Sequence, residues 1–539
     1  MSTEQSKPST SRAQEHAARA FAPEDVPVPA PVVQGPFVNT SASDPPQPQV
    51  EAVAVEVVLG EKERAEASKW NEERIERRLR GEYERAGRQL SELVHENLDT
   101  PLRLNAIRVV GATSTRASFL SSLVAPYLPT LPPASYLSSS PHPEAAPPQT
   151  LRSLLSTTRD VSSLFAKFDI FKEIDASLEA SPSVLAEAED VDIVLRVKEA
   201  SKYFLRTATD IGDGEGSATG TARIRNAFGG AEMLEGNVSF GTRTKNAFQL
   251  RLDTPVAGSP VTKADFSIFS AQRDLNYYAS CSESTKGARA CLRTVSPFGF
   301  HEVAYEAILR QIGDVLPAAS MSVRDAAGQS VKSSISHTFM RDTRDDPFVA
   351  TKGSYLKLRQ EFAGLGGDAQ FIKAESESSV SRAVGAGCTL SLGIRSGFLF
   401  PLGGAPSLFA DRYHLGGPTS VRMFRPNAMG PKDSGDYIGG DLHWATGLSL
   451  TTPFPRKPDW PLKTHLFLNA GRLTRVEQDK SLASSFGNLL TQPSVTAGVG
   501  LMYRHSLVRI EANVGVPLAM GRQEGGVKGL QFGLGLSFL

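Results

Sequence analysis

Val508-Arg509-Ile510-Glu511-Ala512-Asn513-Val514-Gly515-Val516 decides the fold, because polar residues recur at every second place in a run otherwise built from small and aliphatic ones. Side chains of a β-strand alternate between two faces, so this segment presents one apolar row and one row carrying Arg509, Glu511 and Asn513. The same alternation appears in Ala264-Asp265-Phe266-Ser267-Ile268-Phe269-Ser270 and in Tyr355-Leu356-Lys357-Leu358-Arg359-Gln360-Glu361-Phe362. Charges at that parity suit a wet lumen with lipid on the other face.

Working outward, everything from Ser201 onward shows alternating runs punctuated by Gly, Pro, Asp and Ser. Sixteen runs begin near Tyr203, Ala222, Leu234, Ala247, Ala264, Ala288, Glu302, Ser334, Tyr355, Ala369, Cys388, Leu442, Thr464, Val495, Val508 and Leu530. At about 21 residues per strand and connection, they match membrane-crossing strands of ~10 residues joined by turns. An even antiparallel count predicts a closed transmembrane barrel over residues 201–539. The alternative is a soluble sandwich or propeller, and no repeat of fixed period supports the latter. Strand glycines such as Gly385, Gly387, Gly498, Gly500, Gly533 and Gly535 favour strongly curved barrel strands.

Upstream, residues 101–200 read as a small α+β module. Leu104, Ile107 and Val109 form a strand, and Ala117–Leu128 a helix. A second helix carries Leu151, Leu154, Leu155, Val161, Leu164, Phe165 and Phe168, and strands follow from Phe171 and Val191. Seven prolines between Pro129 and Pro148 mark an inserted loop. Residues 61–100 read as a charged helical linker. Residues 1–60 read as a disordered tail, with nine of the 35 prolines before Val50.

Composition narrows function. Lys+Arg 58 against Asp+Glu 58 removes the electrostatic case for a nucleic-acid binder. Mean hydropathy is −0.20, and no apolar run reaches the ~18 residues of a spanning helix. Cys281, Cys291 and Cys388 are too sparse for a metal site or a disulfide framework, and read as free thiols or as a Cys281–Cys291 hairpin bridge. The nine histidines are scattered, and no nucleophile, phosphate-loop or zinc motif is present, so neither enzyme activity, metal nor cofactor is expected. Arg341-Asp342-Thr343-Arg344-Asp345-Asp346 reads as a charge-paired turn, with a cation site as the alternative. The N-terminus lacks the pattern of a secretory signal, so an organelle that imports its barrels from the cytosol is expected.

One connection stands apart. Leu415-Gly416-Gly417-Pro418-Thr419-Ser420-Val421-Arg422-Met423-Phe424 opens a long loop between the eleventh and twelfth strands that ends at Gly439-Gly440-Asp441-Leu442, and loops of that length are usually functional. This wording resembles the lumen-inserted sixth loop of the BamA-like outer-membrane assembly superfamily, most closely the core barrel of the mitochondrial sorting and assembly machinery. Ala222–Glu232 and Phe339–Phe348 support the resemblance, which spans Leu102–Leu539. It implies that the α+β module is a single POTRA domain facing the intermembrane space, below a barrel in the mitochondrial outer membrane.

The resemblance also assigns residues. The inserted loop is represented by Gly416, Gly417, Ser420, Val421, Arg422, Met423 and Phe424, with Arg422 docking on a wall formed by Phe467, Asn469 and Gly471. Met423 stands where the superfamily usually has glycine, and Asn469 replaces its acid, so a neutral partner is expected for Arg422. An insertase with a lateral gate is implied. Its first strand is Tyr203, Phe204, Leu205, Arg206, Thr207 and Ala208; its last carries the signal-like positions Gln531, Gly533, Leu536 and Phe538. The implied partners are β-barrel precursors bearing a carboxy-terminal signal strand, peripheral metaxin-like subunits on the cytosolic side, small intermembrane-space chaperones and the bilayer. A passive porin is the alternative.

Overall fold

The computed structural model describes residues 82–128, 149–184, 186–212, 215–404, 406–457, 460–476, 487, 489–504, 509–535 and 538–539. The expected tail, most of the charged linker, the proline-rich insert and Leu536 lie outside them. The first element described is a helix, Glu82–Glu96.

The α+β module is a four-stranded sheet backed by helices. Pro101–Val110 pairs in parallel with Asp190–Glu199, which pairs antiparallel with Phe171–Ala180, while Gln149–Thr150 adds a short edge. Helix Leu151–Ala166 starts where Thr150 caps the amide of Ser153. Its face Leu154, Val161 and Phe165 is fully buried against Ile193 and Leu195. The helix predicted to reach Leu128 ends at Val124 and continues as a 3-10 turn over Ala125–Tyr127, because Pro126 withholds the next amide.

Sixteen further strands form one antiparallel sheet, and each expected run falls within or beside one of them, but the strands Glu215–Arg225, Ser282–Ser296 and Gly328–Asp342 begin six or seven residues before the starts read at Ala222, Ala288 and Ser334. They are β1 (Tyr203–Gly212), β2 (Glu215–Arg225), β3 (Met233–Gly241), β4 (Thr244–Pro255), β5 (Lys263–Asp274), β6 (Ser282–Ser296), β7 (Gly299–Gly313) and β8 (Gly328–Asp342). The second half comprises β9 (Gly353–Gly367), β10 (Phe371–Gly385), β11 (Cys388–Pro401), β12 (Leu442–Pro453), β13 (Leu462–Thr474), β14 (Ser494–Arg504), β15 (Arg509–Ala519) and β16 (Gly529–Gly535). Each strand pairs with its sequence neighbours, and β16 comes back beside β1, so the sheet curls into a barrel. Outward rows such as Leu390, Leu392 and Ile394 on β11, or Val514, Val516 and Leu518 on β15, are aliphatic and exposed, as a lipid-facing belt requires. No described helix is long and apolar enough to cross a membrane.

The module meets the barrel at the β2–β3 turn. The main-chain amide of Arg116 donates to Gly229 O at 2.8 Å, and its guanidinium pairs with Glu232 at 2.7 Å. Asn226 donates to the Thr115 hydroxyl at 2.9 Å. Gly229 sits at φ +88°, and a Cβ there would lie 2.9 Å from Ser114 O, which explains a glycine at this contact. All three cysteines are free, as first expected, and the alternative Cys281–Cys291 bridge is not formed. Cys281 immediately precedes β6 and Cys291 lies within it, so ten residues of extended chain hold them ~33 Å apart.

Candidate functional site

The β11–β12 connection turns into the barrel. Gly416 (φ +103°) and Gly417 (φ +128°) make the bend, and side chains at either would press on Phe424 or Pro426. Gly417 N–H donates to Val421 O and Ser420 N–H to Gly417 O, closing a tight turn that aims Arg422 at the wall. Leu415, Val421, Phe424 and Met429 are buried with Leu399, Ala445 and Leu473 of the barrel interior.

Arg422 is 1% exposed. Its Nε and Nη2 donate to the two carboxylate oxygens of Glu511 on β15 at 2.9 and 3.1 Å, and its Nη1 donates to Leu539 O at 2.7 Å and Asn469 Oδ1 at 3.5 Å. The expectation of a neutral partner is therefore corrected. Asn469 makes the longest of these bonds, and the acid comes from a different strand. A fork-to-fork pair with the remaining donors satisfied is the arrangement in which a buried arginine is tolerated. Glu511 also takes a bond from Asn513 at 2.8 Å and pairs with Arg509, while Asn513 bonds His465 at 2.8 Å.

The wall residues share one inward face of β13. The Phe467 ring lies 5.4 Å from the Arg422 guanidinium, Asn469 donates to Ser420 O at 3.4 Å, and a Cβ on Gly471 would come 3.2 Å from the Val421 side chain. Met423 adopts φ +63°, the left-handed conformation that explains a glycine preference at this position. Its side chain is accommodated because the opposing residue is Gly515, where a Cβ would sit 2.6 Å from the Met423 sulfur. Its amide donates to Gln531 Oε1 at 2.8 Å.

At its outer end the loop fastens to neighbouring connections. Asp436 accepts from Ser280 N–H and hydroxyl at 2.9 and 2.7 Å and from Ser320 N–H at 2.7 Å. Burial alone would raise its pKa, but these bonds favour the carboxylate and hold it below the ordinary value. Asp411 and Arg310 form a second two-point pair at 2.6 and 3.0 Å. His414 lies against Tyr278, ring centres 4.7 Å apart, and burial drives it down to about 4, so the imidazole is neutral at pH 7.

On β1, Tyr203, Phe204, Leu205 and Thr207 are exposed, and Arg206 and Ala208 half-buried. This strand pairs with β2 over its whole length. Among the described residues no ladder joins β1 to β16, although the two strands are in contact. On the other side of that seam, Gln531, Gly533 and Phe538 all touch the inserted loop or its anchoring arginines. The turn after β8 pairs Arg344 with Asp342 at 2.6 Å and commits Asp345 and Asp346 to main-chain amides. Among the described residues no cluster of His, Cys, Asp or Glu is arranged for a metal.

The anchoring acid Glu511, its neighbour Arg509 and the bonds of Gln531 escape the motif reading. One signal for Glu511 is present in the sequence: with Asn513 it forms a polar pair at inward parity.

A family model described as the Omp85 superfamily domain matches residues 226–538. A SAM50-like protein of Schizosaccharomyces pombe is 34% identical over 459 residues, 84% of this chain and 94% of that protein. The Homo sapiens sorting and assembly machinery component 50 homolog is 30% identical over 380 residues, 69% of this chain and 81% of its own length. BamA from Haemophilus ducreyi lacking POTRA domains 1–3 shares the fold with a TM-score of 0.65 at 17% identity, over 80% of this chain and 84% of that one.

Proposed function

The chain belongs to the Omp85 superfamily, and we propose that it works as its SAM50 relatives are named, in a sorting and assembly machinery that inserts β-barrel precursors into the mitochondrial outer membrane. The reading is carried by the seam between β1 and β16, which lacks a ladder among the described residues. An unpaired strand edge presents a row of main-chain donors and acceptors to any strand of matching length, and adding a strand there needs no cofactor. In this reading β1 is the template and the signal strand of a precursor takes the place beside it that β16 now holds. The module faces the intermembrane space, where precursors arrive with small chaperones, and metaxin-like subunits cover the cytosolic side.

The lumen argues against a passive porin, because the inserted loop packs apolar residues and an ion pair across it. Disulfide scanning tests the gate. With Cys281, Cys291 and Cys388 replaced, Thr207→Cys on β1 is paired with single cysteines along the signal strand of an imported precursor. Adducts alternating with strand register are expected. A folded membrane barrel that gives none at any register would overturn the gate.

A further inference from the structure

Opposite the seam, the outer wall of β7–β10 departs from the lipid-facing belt. Its outward face is marked by Val303 and Tyr305 on β7, Ile335 on β8, Phe362 on β9 and Ile372 on β10, all exposed. On that face His301 Nδ1 lies 3.3 Å from His337 Nε2, and His337 Nδ1 lies 3.1 Å from Gln360 Oε1. A carboxamide oxygen only accepts, so His337 Nδ1–H donates to it, and His337 Nε2 accepts from His301 Nδ1–H. The two N–H donors of Gln360 Nε2 and the lone pair of His301 Nε2 are then left without a partner among the described residues. His337 stands between Ile335 and Phe339, and Gln360, the eighth of the fifteen residues of β9, between Leu358 and Phe362. The row therefore runs inside the apolar belt, out of reach of headgroups in a ~30 Å layer, where an unmet polar group is costly. On β12–β14 the same face is aliphatic, with Leu448, Leu466, Leu468, Val499 and Leu501 exposed. Toward the module-side ends of β8 and β10, Arg341 and Arg382 are exposed with no ion pair among the described residues, and no Asp or Glu occupies an outward position of β7–β10.

We propose that this face docks a membrane-spanning α-helix of a partner protein, one that carries a side-chain acceptor at mid-bilayer for Gln360 and a carboxylate near its module-side end for Arg341. The main-chain groups of β8, β9 and β10 are committed to their ladders, so a partner here is recognised through side chains and not by strand addition. A helix rises about 1.5 Å per residue, and ~15 Å separate the bilayer centre from its interface, so the acceptor and the acid stand about ten residues apart. Ala374, the register partner of Gln360, and Ser376 are the neighbouring outward residues on β10, and small residues let the backbone of a helix approach closely. A second copy of this chain fits the face poorly, because it would bring arginine against arginine with no acid between them. The site lies on the wall farthest from the seam and is independent of the insertase reading, since a helix seated there leaves β1 accessible.

The test uses the full chain, with Cys281, Cys291 and Cys388 replaced, in phosphatidylcholine liposomes. The probe is a synthetic spanning helix of leucine and alanine with a central asparagine, a glutamate about ten residues toward one end and a single cysteine beside the asparagine. Disulfide adducts are expected with Ser376→Cys and not with Val499→Cys on β14. Their yield should fall roughly fivefold when the asparagine of the helix is replaced by leucine or when Gln360→Leu is introduced. It should fall roughly threefold with Arg341→Gln, or when the glutamate is replaced by glutamine. Gln360→Leu should keep the melting temperature of the barrel in detergent, so that lost adducts report lost docking and not unfolding. Equal yields at the two barrel positions, or an undiminished yield from a helix of leucine and alanine alone, would overturn the proposal. Dimers of the Ser376→Cys chain formed without the helix would assign the face to a second copy. Adducts abolished by phosphatidylglycerol and restored by Arg341→Gln would assign it to lipid phosphate, and either result would overturn the helix site.

Discussion

The two flanks of the seam differ in what lies behind them. On the β1–β3 flank the inward side chains bond one another, Thr221 to Asn237 and Arg223 to Glu235, and the strand glycines Gly216, Gly220 and Gly236 point outward with Val238 and Phe240, where a Cβ would meet nothing nearer than 3.9 Å. On the β14–β16 flank four glycines are hemmed in, a Cβ on Gly498 meeting Val514 O and Phe467, on Gly500 Asn513 and His465, on Gly515 the Met423 sulfur at 2.6 Å and on Gly533 Phe538 and Pro418 at 3.1 Å, while Gly529 at the start of β16 is open. Opposite the seam, β6 to β10 each run 15 residues, while β1 has ten and the described part of β16 seven. At the seam, β1 has no ladder on its outer side among the described residues, whereas β16 is bound to the loop through Gln531.

The strongest way to break this asymmetry is to cut the anchor. Glu511→Ala leaves Arg422 and Arg509 buried without their acid, and removing one member of a buried pair costs about 3–5 kcal/mol. The expected outcome is a lower melting temperature of the barrel in detergent, protease cleavage within residues 415–431, and loss of precursor insertion. Arg289→Ala on β6, whose side chain is 31% exposed, should shift melting far less. Equal shifts for the two would mean that the anchored flank carries no special load.

A smaller effect separates the two flanks directly. Gly500→Ala pushes a methyl group into Asn513 Oδ1 and His465 Nε2, the bond that buttresses Glu511, and overpacking of this kind costs about 1–3 kcal/mol. Gly220→Ala adds a methyl group on the outward face of β2, where nothing lies within 4 Å, and should stay within about 0.5 kcal/mol. Thermal unfolding of the two variants side by side decides the matter, and a reversed order would refute the packing difference.

The barrel was legible because period-two alternation with Gly and Pro punctuation is a local property, so all sixteen strands could be placed from their own residues. The loop was legible for a similar reason: Leu415–Phe424 is one contiguous run. What stayed hidden is non-local. Glu511 is 89 positions from Arg422, and nothing in either segment says that β13 and β15 bring Asn469 and Glu511 to the same guanidinium. The tolerance of Met423 at a left-handed position likewise depends on Gly515, a strand glycine that reads only as a curvature residue until the fold brings them together. The module–barrel contact at Asn226 and Glu232 is of the same kind, since a surface turn carries no mark of what it will touch.

The outer fastening of the loop gives a pH handle. Asp436 has its pKa held below the ordinary aspartate value of 3.8, so its bonds to Ser280 and Ser320 are complete above that value and weaken as pH falls through the depressed one. Hydrogen exchange of the amides of Ser280 and Ser320 should therefore stay slow at pH 5 and rise only in stronger acid. Asp436→Asn should remove the acid-dependent step. A step centred well above pH 4 would assign the fastening to another group.

The smallest expected effect lies at the opposite mouth of the same flank. Arg504 at the end of β14 pairs with Asp346 in the turn after β8 at 2.6 Å, and Arg509 donates to Phe348 O at 3.3 Å. The turn thus reaches across the lumen to the anchored flank. Arg504 is 55% exposed and Asp346 16%, and an ion pair with one partner in water contributes about 0–1 kcal/mol. Arg504→Gln should leave the melting temperature almost unchanged in 0.5 M salt and lower it slightly in dilute buffer, where screening is weaker. A shift as large as that of Gly500→Ala would mean that the crossing turn helps to hold β14 and β15 in place, and that the anchored flank is secured from both mouths of the barrel.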